Sequence, residues 1–211
     1  MIRSLNEALR RIPVPLVWLA GAIPFALLLW DTLTGGLGVE PIREIEHRLG
    51  RTALYFLVAS IGVTPLLRLT GISLMRFRRA LGVLCFAYAV PHVLAWVVMD
   101  MGLLWGQMAR DIVKRPYLLF GMLSFVLLLP LALSSNDWSI RSLGGKAWRN
   151  LHKAVYVAAP LAALHWLWAV KVNEPAPLFW LVAILSLLGL RLVVRRRLNL
   201  QTLFRGSKKQ A

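Results

Sequence analysis

Six apolar stretches run along the chain, at about 12–31, 51–68, 80–99, 117–134, 150–170 and 176–194, and short segments between them hold nearly all the charge. Each stretch comes close to the roughly 17–25 residues a helix needs to cross the hydrocarbon core of a bilayer. No one-sided periodicity can be read inside them, because a lipid-embedded helix is apolar all round. The pattern predicts an all-α polytopic membrane bundle of six transmembrane helices in one domain, 1–211, ending in a basic tail, 195–211. The first stretch follows Arg3, Arg10 and Arg11, as the core of a cleaved signal would. It continues to Trp30 with no small-residue cleavage site beyond it, so it reads as a retained span.

Charge fixes the expected sidedness. The N-terminal segment, the loop with Arg68, Arg76, Arg78 and Arg79, the loop with Arg141, Lys146, Arg149 and Lys153, and the tail from Arg191 hold 18 of the 25 basic residues and only Glu7 and Asp137 of the acids. The alternate loops hold the other 7 bases and 7 acids, so the whole formal charge of +16 falls on one side. By the positive-inside rule that side is cytoplasmic, with both termini inside. A composition that is 58% hydrophobic supports the membrane class. The basic excess then marks orientation and contact with anionic lipid, not binding of nucleic acid. Most of the nine Trp residues, among them Trp18, Trp30, Trp105, Trp138, Trp148 and Trp168, fall near span ends as an interfacial belt. The single Cys85 excludes an intramolecular disulfide or a cysteine-bound cluster and reads as a small buried hydrophobe.

Four histidines remain to be explained. His152 and His165 share the fifth span, His92 lies on the third, and His47 sits at the outer mouth of the second. Counting from the inner end of each span, His92 lies about 18 Å along its helix and His165 about 20 Å beyond His152. His92 and His165 therefore reach one level on separate helices, in the outer half. A neutral imidazole bonded to a backbone carbonyl is the plain reading of any one of them. Their pairing at one depth points further. A proton relay would need Asp or Glu deep in a span, and a zinc or copper site would need more ligands at that level. Two imidazoles suit the axial positions of a b-type haem, whose porphyrin supplies the other four nitrogens. His152 stands about 140° around an ideal helix from His165, so it faces another gap and is the candidate ligand of a second, inner haem. Arg78 and Arg79, near that level, are candidates to hold propionates.

The stretches "GGLGVEPIREIEHRLGRTAL", "RRALGVLCFAYAVPHVLAW", "KRPYLLFGMLSF" and "LGGKAWRNLHKAVYVAAPLAALHWLWAVK" closely resemble the MsrQ (YedZ) family of haem-binding membrane subunits, within the ferric reductase-like transmembrane superfamily. The resemblance runs over nearly the whole chain. It implies one or two b-type haems held by His92, His152 and His165 in a bacterial inner membrane, with electrons drawn from the quinone pool. It also implies delivery to MsrP, a periplasmic molybdenum enzyme that reduces methionine sulfoxide in oxidised proteins, and an associated flavin mononucleotide (FMN). The wider superfamily carries two histidines on each of two helices, whereas the third span here carries one. No G-x-G-x-x-G loop joins a strand to a helix, and about 17 residues follow the last span, so electrons are expected from quinol or a separate flavoprotein. A transporter would show half-to-half symmetry and midplane polar residues, which the sequence lacks. A haem-free membrane anchor is the remaining alternative.

Overall fold

The computed structural model describes the backbone of residues 2–170 and 174–207, with side chains through Val193. Lys171, and the side chains of the tail expected to anchor on lipid, lie outside the described residues. Nine α-helices form there, with no strand: α1 (Ile2–Arg11), α2 (Val14–Thr34), α3 (Pro41–Thr70), α4 (Arg78–Leu94), α5 (Trp105–Lys114), α6 (Pro116–Leu133), α7 (Asp137–Leu151), α8 (Val155–Ala169) and α9 (Pro175–Ser207). A 3₁₀ turn, Met75–Phe77, leads into α4, and a π-helical segment, Ala95–Asp100, continues it. Five helical stretches are long and apolar enough to span a membrane: α2, α3, the Met75–Asp100 run through α4, α6, and α9 as far as Val193.

The fifth predicted span departs from the expected pattern. The polar pair His152 and Lys153 sits in a 3₁₀ turn, His152–Ala154, and α8 beyond it has 15 residues. At 1.5 Å per residue α8 covers roughly 22 Å, and the turn adds about 6 Å at about 2 Å per residue, which together approach a hydrocarbon core of about 30 Å. The segments read as loops also carry helices. The predicted outer loop 35–50 is largely the first turns of α3, and 100–116 contains α5. Both termini on one side is the arrangement the charge pattern expects, and the helix order is compatible with it.

The bundle centres on α3, α4, α6 and α8, with α9 against α8 and α3 and with α2 on the flank of α4. One apolar core gathers Leu54, Leu57, Ile61 and Cys85 with Ala159, Ala163 and Ile184. Ala158, Ala159 and Ala163 are wholly buried, because small side chains let α8 approach α6 closely. The buried Ser124 hydroxyl donates to the Ala158 carbonyl across that contact at 2.9 Å. At Gly21 an added Cβ would lie 2.5 Å from the Leu84 side chain, so the glycine sets the spacing of α2 on α4.

The α2 proline is supported by a side chain. The Phe25 amide donates to the Tyr88 hydroxyl at 2.9 Å, and that hydroxyl donates to the Gly21 carbonyl at 2.7 Å. Tyr88 of α4 is thus inserted into the α2 hydrogen-bond ladder beside Pro24, one of the recognised causes of a helix bend. Tyr88→Phe is expected to cost about 1 kcal/mol, the net value of such bonds. The check is a lower unfolding temperature in detergent with the haem-to-protein ratio unchanged.

Candidate functional site

A cavity of about 780 Å³ opens between α3, α4, α6 and α8. Its inner wall is apolar, with Leu54, Leu57, Cys85, Ala89, Phe125 and Ala162, while Arg43, Arg51 and Arg115 stand toward its outer end. Cys85 is 2% exposed, a small apolar wall residue. This size falls within the range of built small-molecule and cofactor pockets.

His92 and His165 face each other across this space. Their ring centroids are 6.1 Å apart and the planes are inclined at 73°. Each ring is held by one backbone carbonyl: His92 Nδ1 lies 2.9 Å from the Glu46 carbonyl and His165 Nδ1 2.7 Å from the Tyr117 carbonyl. A carbonyl can only accept, so in each ring Nδ1 carries the proton and Nε2 keeps a lone pair. Neither Nε2 has a hydrogen-bond partner among the described residues.

The two carbonyls are presented by one device used twice. In a helix the carbonyl of residue i points toward residue i+4, and the residue four beyond Glu46 is Gly50, as the residue four beyond Tyr117 is Gly121. With no side chain there, the imidazole from the facing helix can reach the carbonyl. A Cβ on Gly121 would fall 2.7 Å from His165 Nδ1, and a Cβ on Gly50 would fall 3.1 Å from His92 Cε1. Sequence reasoning found the two histidines but not the four residues that orient them. The available signal was the glycine one turn into "EHRLGRTAL" and "KRPYLLFGMLSF", since a glycine inside a helix marks a close approach.

The other candidates lie elsewhere. His47 lines the same cavity. His152 does not: its ring stacks on Trp148 at 3.8 Å, its Nδ1 is 3.0 Å from the Trp148 carbonyl, and its Nε2 is 3.5 Å from the Ser135 hydroxyl. Trp148 packs on this histidine and donates from Nε1 to the Ser134 carbonyl at 2.8 Å. Trp30, Trp105, Trp138 and Trp168 are exposed. Arg78 and Arg79 do not reach the cavity. Arg79 is paired at 2.7 Å with Asp137 of α7, and this bond and charge hold the Asp137 carboxyl below its ordinary range. Arg48 is paired with Asp31 and with Glu44, tying α3 to α2. Arg51 borders the cavity and reaches Glu44 at 3.4 Å, and Arg115 borders it from the start of α6.

Chemically, the arrangement fits a flat metallomacrocycle. Metal–imidazole bonds are about 2 Å long. With roughly 1 Å more from nitrogen to ring centre, two imidazoles trans across one metal have centroids about 6 Å apart. Among the described residues no three His, Cys, Asp or Glu side chains gather to cage a bare ion. Two neutral nitrogens with fixed tautomers, an apolar inner wall and arginines at a rim that also carries Glu40, Glu46 and Asp100 fit an iron porphyrin whose two carboxylates would meet the arginines.

A bundle with paired intramembrane imidazoles across an apolar cavity defines a class of membrane redox protein, and comparison with known proteins agrees. Residues 49–163 match the family described as "Ferric reductase like transmembrane component", and the chain belongs to it. Within that class it belongs with the MsrQ proteins. It is 45% identical over 177 residues to proteins of Brucella ovis, Brucella canis and Brucella suis, each named "Protein-methionine-sulfoxide reductase heme-binding subunit MsrQ", covering 84% of this chain and 80% of theirs. No solved structure matches the chain.

Proposed function

We propose that this protein is a b-haem electron-transfer subunit of the bacterial inner membrane, serving a periplasmic methionine sulfoxide reductase of the MsrP type. The observation that carries the reading is the facing pair His92 and His165, 6.1 Å apart with each Nδ1 committed to a carbonyl. A bound haem would supply the one-electron chemistry. The residues around it bind and tune. His92 and His165 offer their Nε2 lone pairs, and the Glu46 and Tyr117 carbonyls raise the basicity of those rings. Arg51 and Arg115 are placed to hold propionates, a role for which guanidinium is suited. The apolar wall from Leu54 to Phe125 keeps water away from the inner side.

The name of the relatives supports haem binding and a partner reductase, and the ferric reductase-like family supports electron transfer through the membrane. Quinol as the source, FMN as a further carrier, and MsrP as the acceptor complete the proposal. The cavity accounts for one haem. At His152 the Nδ1 is likewise committed to a carbonyl, that of Trp148, and the Ser135 hydroxyl donates to the Leu131 carbonyl at 2.6 Å, so the His152 Nε2 lone pair stays open to a second haem.

The visible spectrum of the purified protein tests this reading. Soret and α bands that sharpen on reduction are expected, with dithionite-reduced protein reoxidised by the partner reductase when methionine sulfoxide is added. A colourless protein that still binds the reductase would leave only a membrane anchor.

A further inference from the structure

Away from the cavity, at the end of the bundle that carries the basic excess, the described residues hold arginines with no counter-charge. Arg68 lies at the end of α3, Arg78 at the start of α4 and Arg191 on α9. The Arg191 guanidinium stands over the Tyr156 ring of α8 at 5.4 Å, and its Nη1 is buried with no hydrogen-bond partner. Arg78 is within electrostatic reach of Arg191 and Tyr156, and Arg191 of Arg68.

No carboxylate pairs with any of the three among the described residues, although neighbouring Arg79 is paired with Asp137. The residues outside the description contain no Asp or Glu either. On this side of the chain the only acids are Glu7 and Asp137. Burying part of a guanidinium without an anion is costly, so the counter-ion is expected from outside the chain.

We propose that Arg68, Arg78 and Arg191, with Tyr156, form a binding site for the phosphate of an anionic phospholipid. Guanidinium groups gathered at one end of the bundle match a phosphate in charge, and the planar guanidinium is suited to paired hydrogen bonds with its oxygens. Basic pockets between transmembrane helices on the cytoplasmic side are where such headgroups bind. Leu69, Leu192 and Val193, next to two of these arginines, are exposed apolar residues positioned for the acyl chains. The lipid reading does not require a haem, but Arg78 is also within electrostatic reach of His152, so the test separates a lipid phosphate from a haem propionate.

The test uses the full chain, purified in a neutral detergent, with its unfolding temperature measured after adding phosphatidylglycerol, phosphatidylcholine or inorganic phosphate. Native mass spectrometry of the same samples counts retained lipid. Phosphatidylglycerol is expected to raise the unfolding temperature and stay bound, phosphatidylcholine to do so weakly, and inorganic phosphate not at all. Arg191→Gln and Arg78→Gln should remove the phosphatidylglycerol-specific shift. Arg68→Gln, at an exposed position where folding is secure, should lose most of it, and Arg141→Gln should keep it. Equal shifts with both lipids, or a full shift in Arg68→Gln and Arg191→Gln, would overturn the site. A full shift with inorganic phosphate would make it a free-anion site and overturn the lipid assignment. So would a fall in the haem-to-protein ratio of Arg191→Gln with the lipid response intact, since the anion would then be a propionate.

Discussion

His92→Ala and His165→Ala should each lose most of the bound haem, whereas His47→Ala should leave it largely in place. The expectation follows from the geometry. The two rings face each other across the cavity, and each has its Nδ1 committed to a carbonyl and its Nε2 left without a hydrogen-bond partner among the described residues. Loss of a residue that merely orients a metal ligand typically costs 10–100-fold in affinity, and loss of the ligand itself should cost more. His47 lines the same space without belonging to the facing pair. The check is the haem-to-protein ratio of each variant purified in parallel, together with an unfolding temperature to show that the bundle survives. Full haem in both single variants would remove the basis for placing iron between α4 and α8.

Gly121→Ala should be nearly as damaging, though it deletes nothing. The added methyl falls 2.7 Å from His165 Nδ1, a distance at which something must shift. The ring is the part that can move, and moving it breaks the bond to the Tyr117 carbonyl. Nε2 then loses both its aim and the basicity that the carbonyl confers, so haem affinity should fall by about 10–100-fold. Gly50→Ala, at 3.1 Å from His92 Cε1, should have a smaller effect in the same direction. Gly62→Ala is the control. It lies on α3 too, but its added methyl meets only Leu187 at 3.9 Å, an ordinary contact. Titration of the apo-protein with haemin measures all three. A Gly121 variant with the affinity of the Gly62 variant would show that the carbonyl–glycine cradle has no part in ligation.

Which parts of this were readable in the sequence depends on whether they depend on one helix or on two. The helical class came directly from long apolar runs, because a chain in lipid must satisfy its backbone within each helix. Equal depth of His92 and His165 also follows from counting along single helices. Their separation from His152 likewise follows from 100° per residue, and the structure places His152 against Trp148 instead of the cavity. What could not be read depends on contacts between helices. The Glu46 and Tyr117 carbonyls carry no side-chain signature, and Gly50 and Gly121 acquire meaning only once an imidazole from another helix lies over them. The place of Arg51 and Arg115 at the cavity rim depends on such contacts too, and Arg78 and Arg79, read as propionate partners of the inner site at His152, do not line this cavity. The 3₁₀ turn at His152–Ala154 within the fifth stretch was not legible either, because hydropathy does not register it.

The central claim is that the imidazoles of His92 and His165 ligate one iron from opposite sides. Low-temperature electron paramagnetic resonance of the oxidised protein measures this most directly, in the wild type and in His92→Ala and His165→Ala reconstituted with excess haemin. The account predicts a low-spin bis-imidazole signal in the wild type and its loss, to a high-spin signal or none, in either variant. An unchanged low-spin signal in both variants would contradict it.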